Sequence, residues 1–197
     1  MKKIQVSEKT EVPSVELLEK ELKRTQYKKQ YGRVLRSTIF ILVTVAAIAV
    51  LVATLWLPVL QIYGHSMTPT LTDGDVVVST KFSELETGEI IAFYYNNKIL
   101  VKRVIGQAGD IVDIKDDGTV YVNNVELQEP YVDAKVLGEC NIELPYQVPE
   151  GKVFVMGDHR SSSVDSRNTA VGCVEKEQIV GKLKFRVWPL ESFGWVE

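Results

Sequence analysis

Ser66 stands in IYGHSMTPTLTDGDVVV, Ile62 to Val78, a stretch punctuated by glycine and proline that begins where a long uncharged run ends. A serine hydroxyl is a poor nucleophile until a neighbour takes its proton and something stabilises the oxyanion that follows. Three side chains compete for the role of base. His65 is too close in sequence to fold back onto its neighbour's Oγ, which leaves His159 as the usable imidazole. The third is Lys102 in ILVKRVIG, a lysine inside an otherwise apolar strand pattern. Such a lysine ordinarily lies at an edge and extends its amine into water. If it is buried, desolvation favours the neutral amine and brings a reference pKa of about 10.4 down to ~7–8, the range of a competent general base. Strand alternation places Lys102 on one face with Leu100 and Val104 and sends Arg103 to the other, so one of the two cations faces the site.

A further segment, GDHRSSSVDSRNT from Gly157 to Thr169, follows the apolar strand pattern KVFVM. Its composition alone reads as a surface loop. Against that stands the cost of enclosing Asp158, Arg160, Asp165 and Arg167 in a small domain unless they pair with one another. The residues leave three chemistries open. One is a Ser66/Lys102 dyad. Another is a Ser/His/Asp triad using His159 with Asp158 or Asp165. The last is a catalytically silent, membrane-tethered β domain that binds exported chains. No metal or organic cofactor is implied, because the two histidines match no ligand spacing. Gly106 and Gly109 in GQAGD read as turn glycines rather than a phosphate cradle.

The elements that must position these groups follow from patterning. Thr38 to Ile62 is 25 residues without a charge, which as helix spans roughly 37 Å against a hydrocarbon core of about 30 Å. We read 38–62 as a transmembrane helix that is not cleaved, since the basic segment before it is longer than a signal peptide's. Lys23, Arg24, Lys28, Lys29, Arg33 and Arg36 precede it with no acid among them, which keeps residues 1–37 in the cytoplasm and puts the rest outside. Glu16/Lys20 and Glu19/Lys23, with Pro13 in a first turn, predict a short solvated helix over 13–30. Trp56, Leu57 and Tyr63 are candidate interface anchors.

After Ser66 the period changes. DVVVST, EIIAFYY, ILVKRVIG, DIVDI, TVYVNNVEL, KVFVMG and IVGKLKFRVWPL are short β-branched and aromatic runs parted by Gly, Asn and Asp, predicting a mainly β, antiparallel domain. YNNK (95–98) and KDDGT (115–119) read as hairpin turns. The core is expected over 63–109 and 152–197, with 110–151 as a small inserted β subdomain whose second half, DAKVLGECNIELPYQVPEG, is irregular. From Gln61 onward there are 13 Lys+Arg against 21 Asp+Glu, so this outer part is acidic and nucleic acid is excluded as a partner. Cys140 and Cys173 both lie there, and their spacing leaves open whether they bridge.

GHSMTPTL, VKRVIGQAGD and GDHRSSSVDSR, in this order behind an N-terminal anchor and before GKLKFRVWPL, resemble bacterial type I signal peptidase, a membrane serine protease that removes signal peptides from exported proteins. The resemblance runs from the anchor to the end of the chain. It implies a Ser/Lys dyad, with Ser66 as nucleophile and Lys102 as general base. It further implies that Ser163 orients the lysine amine, that Asp165 and Arg167 form a supporting ion pair, and that the Ser66 backbone amide serves the oxyanion hole. Met67 and Pro69 would shape the nucleophile loop, with Asp158 and Arg160 structural. Gly64 stands where many members carry an oxyanion-hole serine, as in the Gram-positive-like branch, and His159 replaces a usual Asn. The implied partners are signal peptides of secreted preproteins, membrane lipid and nearby secretion machinery. The substrate is expected to pair as an extended strand, and DVVVS and EIIAFYY to line its groove.

Overall fold

The computed structural model describes residues 14–81 and 84–196, with the side chains of 52–56 excepted. Pro13 and the first part of the expected tail therefore lie outside the described residues, as does the Trp56 side chain. A single helix, α1 (Val15–Trp56), runs without a break through both the charged stretch and the uncharged one. The separate short helix expected over 13–30 is thus its first part, where Glu21 and Arg24 pair at 3.5 Å. Ile39, Phe40, Ile41, Leu42 and Val43 are all exposed. A helix apolar all round and uncovered by protein has the pattern of a membrane span.

The uncharged run does not stay helical to Ile62. Pro58 lacks the N–H a continuing turn needs and clashes with the preceding one. Beyond it Val59–Gln61 is already a strand, β1. The run thus ends by entering the β domain, and Ile62 is buried in its core.

The strands after β1 are β2 (Val76–Thr80), β3 (Ile90–Tyr95), β4 (Lys98–Gly106), β5 (Ile111–Ile114), β6 (Val120–Val122), β7 (Val125–Glu126), β8 (Tyr146–Gln147), β9 (Lys152–Met156), β10 (Val174–Glu175), β11 (Ile179–Trp188) and β12 (Gly194–Trp195). They form two antiparallel sheets. The larger has the order β1-β2-β11-β3-β4-β9-β10, with β12 on β11, and the smaller β7-β6-β5-β8. β3 and β4 are joined by Asn96 and Asn97 alone, as YNNK predicts, with Asn96 at φ 51°. Asn tolerates that left-handed backbone where a β-branched residue would not.

The large sheet is buried on both faces, which is why its strands read as continuous apolar runs. Ile90 and Ala92 join Ile62, Met67, Leu71, Val77 and Leu183 beneath the nucleophile segment. Ile91 and Phe93 pack on the opposite face with Val104, Val153 and Val155. A third cluster joins Val112, Ile114 and Val120 of the small sheet to Ile105 of β4 and to Phe154 and Met156 of β9. The small sheet therefore shares a core with the large one.

Candidate active site

Ser66 sits in a turn pinned at both ends. Ile62 N donates to Asp75 O at 2.8 Å and Gly74 N returns a bond to Ile62 O at 2.9 Å, closing the base of the segment. Gly64, at φ 90°, donates its N–H to Asp73 Oδ1 at 2.7 Å. Met67 and Leu71 are buried and linked by Leu71 N to Met67 O. Buried Ile62 before it and Met67 after it flank a half-buried serine and limit how far its turn can move. Asp75 below them is held beneath its ordinary pKa: burial would raise it, but the Thr72 amide and Arg186 more than offset that.

Lys102 Nζ donates to Ser66 Oγ at 2.7 Å. Lys102 is only 3% exposed, so it does not snorkel. Burial is the main cause that pulls its pKa down to about 8, Asp165 and Asp158 opposing and Arg167 adding to the fall. An amine poised near neutrality and in contact with a serine hydroxyl has the geometry and the basicity of a general base. The His159 ring is exposed and bonded to Ser162 Oγ at 2.7 Å, while its backbone N–H donates to Ser66 O at 3.1 Å. His65 is also exposed. Neither imidazole bonds the Ser66 hydroxyl among the described residues. The Ser66 N–H is likewise unclaimed by any acceptor among them.

The loop 157–169 closes over this pair. Arg167 grips Asp165 with Nε on Oδ1 and Nη2 on Oδ2, both 2.9 Å, with both side chains wholly buried. Asp165 also accepts the Gly157 N–H at 2.9 Å. Burial alone would raise the Asp165 pKa; Arg167 and that amide bring it below the ordinary value. Ser163 Oγ is buried and has no well-aligned hydrogen bond among the described residues, so it does not hold Lys102 in this arrangement, though it lies near enough to Asp165 to help lower that carboxylate's pKa. It is nonetheless close by. A Cβ on Gly157 would collide with Ser163 Oγ on one hand and lie 2.5 Å from Ser66 O on the other. Only glycine lets these two segments approach so closely.

Asp158 and Arg160 find their partners outside the loop. Arg103 donates to Asp158 through Nε at 2.9 Å and Nη2 at 2.7 Å, and through Nη1 to Gly88 O at 2.7 Å. Thr70, four residues beyond the serine, donates its hydroxyl to the same carboxylate. Arg160 pairs with Glu129, and its Nε reaches back to Gly157 O at 3.1 Å. Sequence reasoning did not single out Thr70, Gly157, Glu129 or Tyr131. The four loop charges balance on paper, so nothing local signalled that Asp158 and Arg160 would take Arg103 and Glu129 instead of each other.

Beside Ser66 runs a groove of about 610 Å³, walled by Leu60, Ile62, Tyr63 and Met67 on one side and Asn97 to Val101 on the other. Both walls are unpaired strand edges. β1 bonds only β2, and β9 pairs with β4 only from Arg103 onward. Residues around Ser66 line the groove as expected, but its strand walls are β1 and β4 and not the expected β2 and β3. No three His, Cys, Asp or Glu side chains converge as a metal site among the described residues. Cys140 and Cys173 are free thiols, and burial pushes that of Cys173 up to about 11.

A family model described as signal peptidase, peptidase S26, matches residues 35–188. Signal peptidase IB of Staphylococcus aureus (strain COL) is 41% identical over 152 residues, covering 67% of this chain and 78% of that protein. Signal peptidase I of Bacillus caldolyticus is 40% identical over 163 residues, 73% of this chain and 88% of its own. Among solved structures, a signal peptidase I from Enterococcus faecalis V583 is 31% identical and covers 50% of this chain and 96% of that one, with a TM-score of 0.43.

Proposed function

The chain belongs to the signal peptidase family, peptidase S26, and is a serine endopeptidase; from that premise we propose that it cuts signal peptides from preproteins at the outer face of the membrane with a Ser66/Lys102 dyad. The observation that carries the mechanism is the 2.7 Å contact between Lys102 Nζ and Ser66 Oγ at the mouth of a groove with two free strand edges. A substrate strand laid in that groove finds backbone partners on both sides, and shallow apolar walls accept small residues at the first and third positions before the cut.

Ser66 Oγ attacks the scissile carbonyl while the free Lys102 amine takes its proton. The carbonyl oxygen, now negative, meets the unclaimed Ser66 N–H. The ammonium then protonates the leaving amine, and the peptide bond breaks to leave an acyl-serine. Water attacks that ester, again giving its proton to Lys102, and the proton returns to Ser66 as the acid departs. When Ser66 Oγ is engaged by substrate, Lys102 loses its resting partner. Ser163 Oγ, buried and unpaired, is the hydroxyl positioned to replace it. Arg167, paired with Asp165, holds the Ser163 backbone through Nη2 on Ser163 O at 3.4 Å, and Gly157 leaves room for its side chain.

Anchoring follows from the uncharged part of α1, and the basic stretch earlier in the same helix puts the N-terminus on the cytoplasmic side. Only nine residues, 57 to 65, separate the end of that helix from Ser66. Tethering confines enzyme and preprotein to one membrane and raises their effective concentration. Trp188, Leu190, Phe193 and Trp195 form an exposed apolar group suited to lipid contact.

The test is cleavage of a preprotein bearing an Ala-x-Ala site by wild type, Lys102→Ala and His159→Ala in detergent. Loss confined to the lysine variant supports the dyad. Loss confined to the histidine variant moves the base to His159 and overturns it.

A further inference from the structure

The segment between β7 and β8 lacks regular strands, yet it makes an unusual set of contacts with the loop over the dyad. Leu137 O accepts Arg167 Nη1 at 2.6 Å. Asn141 bonds the loop twice, N to Arg167 O at 3.0 Å and Oδ1 from Thr169 N at 2.7 Å. Asn168 Nδ2 donates to Glu139 at 2.8 Å. These bonds fix the outer rim of the loop. Two side chains reach further in.

Glu129 and Tyr131 flank Pro130 in a turn closed by Val132 N to Glu129 O. The Glu129 carboxylate is fully buried and takes both Nη groups of Arg160. Arg160 spends its remaining Nε on Gly157 O. Gly157 is the residue wedged between Ser66 O and Ser163 Oγ. A carboxylate is needed there because a buried guanidinium without a counter-charge is costly and would reorient toward water, releasing Gly157. Tyr131 works on the other cation. Its ring lies 3.7 Å beneath the Arg103 guanidinium, the group that joins Asp158 to β4 and, through Asp158, to Thr70 of the nucleophile turn. The Tyr131 hydroxyl is buried without a partner, so the aromatic face is the functional part of this side chain.

We propose, resting on the dyad assignment above, that Glu129 and Tyr131 are positioning residues for peptide cleavage: Glu129 locks the Gly157–Ser163 side of the site through Arg160, and Tyr131 locks the Thr70 side through Arg103. Neither touches Ser66 or Lys102. Both come from the part of the chain that sequence patterning marks as an insertion.

The experiment compares full-length wild type, Glu129→Gln, Tyr131→Phe and Tyr131→Leu in detergent, well below their melting temperatures, for kcat, KM and thermal stability. Ser66→Ala and Lys102→Ala are run beside them. Misplaced reacting groups should lower kcat in Glu129→Gln and Tyr131→Leu on the order of a hundredfold, with KM held within about twofold. Tyr131→Phe keeps the ring and should retain wild-type kcat. If Glu129→Gln does not fold, the Phe and Leu variants at 131 decide the matter alone. A folded Tyr131→Leu or Glu129→Gln with wild-type kcat and only a lowered melting temperature overturns the proposal. Equal losses in Tyr131→Phe and Tyr131→Leu also overturn it. Full activity in Ser66→Ala or Lys102→Ala would instead refute the dyad.

Discussion

Lys102 and Arg103 are consecutive on β4, 3% and 2% exposed, and are compensated in opposite ways. Arg103 meets a carboxylate at two points, whereas the amine of Lys102 bonds a serine hydroxyl. A guanidinium cannot shed its proton inside a protein, so it requires a counter-ion; an ammonium can, and leaving it without a directly bonded carboxylate suits it to the base role proposed above.

The first prediction concerns pH. With the Lys102 pKa at about 8, kcat/KM should rise with pH through a single ionisation and reach half its maximum near pH 8. Lys102→Ala should lose activity by about 10²–10⁴-fold and lose that limb. A steady-state pH profile on a peptide substrate checks both.

The second concerns stability, and its sign is opposite to that of an ordinary ion pair. The folded pKa lies below that of the unfolded chain, so between about 8 and 10.5 the unfolded state binds more protons. Stability from this group is missing below pH 8 and is regained as pH climbs to 10.5, by roughly 3 kcal/mol in all. Lys102→Met should therefore be more stable than wild type at pH 7, and the gap should narrow steadily toward pH 10. Urea titrations of both proteins across that range measure it.

Ser163→Ala separates catalysis from stability. It removes a buried hydroxyl that has no partner at rest, so the folded state should be unharmed or gain up to about 1 kcal/mol. If Ser163 receives the lysine amine during turnover, kcat should nevertheless fall at least about tenfold. Thermal melts and initial rates on one preparation give the answer.

Gly157→Ala places a methyl against Ser163 Oγ and Ser66 O. Overpacking of this kind costs about 1–3 kcal/mol, and here the strain falls on both halves of the site. A lowered melting temperature with kcat reduced more than KM is expected.

Recognition along strand edges can be tested on the substrate. Methylating one backbone nitrogen among the residues that occupy the groove removes a single main-chain donor, and KM should rise roughly tenfold, the worth of one hydrogen bond. Methylation on alternate nitrogens, which face β1 instead of β4, should raise KM by a similar factor, because strand groups alternate in direction and both walls are free edges; a nitrogen outside the groove should tolerate methylation.

What could be read in advance was whatever is local. The serine turn and the strand bearing Lys102 are each contained in a dozen residues whose types mark them as candidates, while the Asp165/Arg167 pair was expected from the resemblance of the motif GDHRSSSVDSR. Contacts made across the fold could not be read. Arg160 finds Glu129 from 31 residues away and Arg103 finds Asp158 from 55, and no periodicity encodes such a distance. The walls of the groove were misjudged for a topological reason: β11, about a hundred residues after β2, slides between β2 and β3, so strands adjacent in sequence are not adjacent in the sheet. The bounds 38–62 run past the end of α1, because hydropathy scores a spanning helix and a buried strand alike, although Pro58 in the sequence already marks where that helix kinks or stops.

The two unpaired edges beside Ser66 have a consequence for breadth of use. An edge offers amides and carbonyls to whatever main chain lies against it, and every polypeptide carries the same main chain. Contacts of this sort are indifferent to most side chains, so a single catalyst can serve a large and dissimilar clientele while rejecting it at only a few positions. They are also shared equally by uncut and cut segments. A spent segment bound there in the proposed mode therefore gains no hold beyond that of an uncut one.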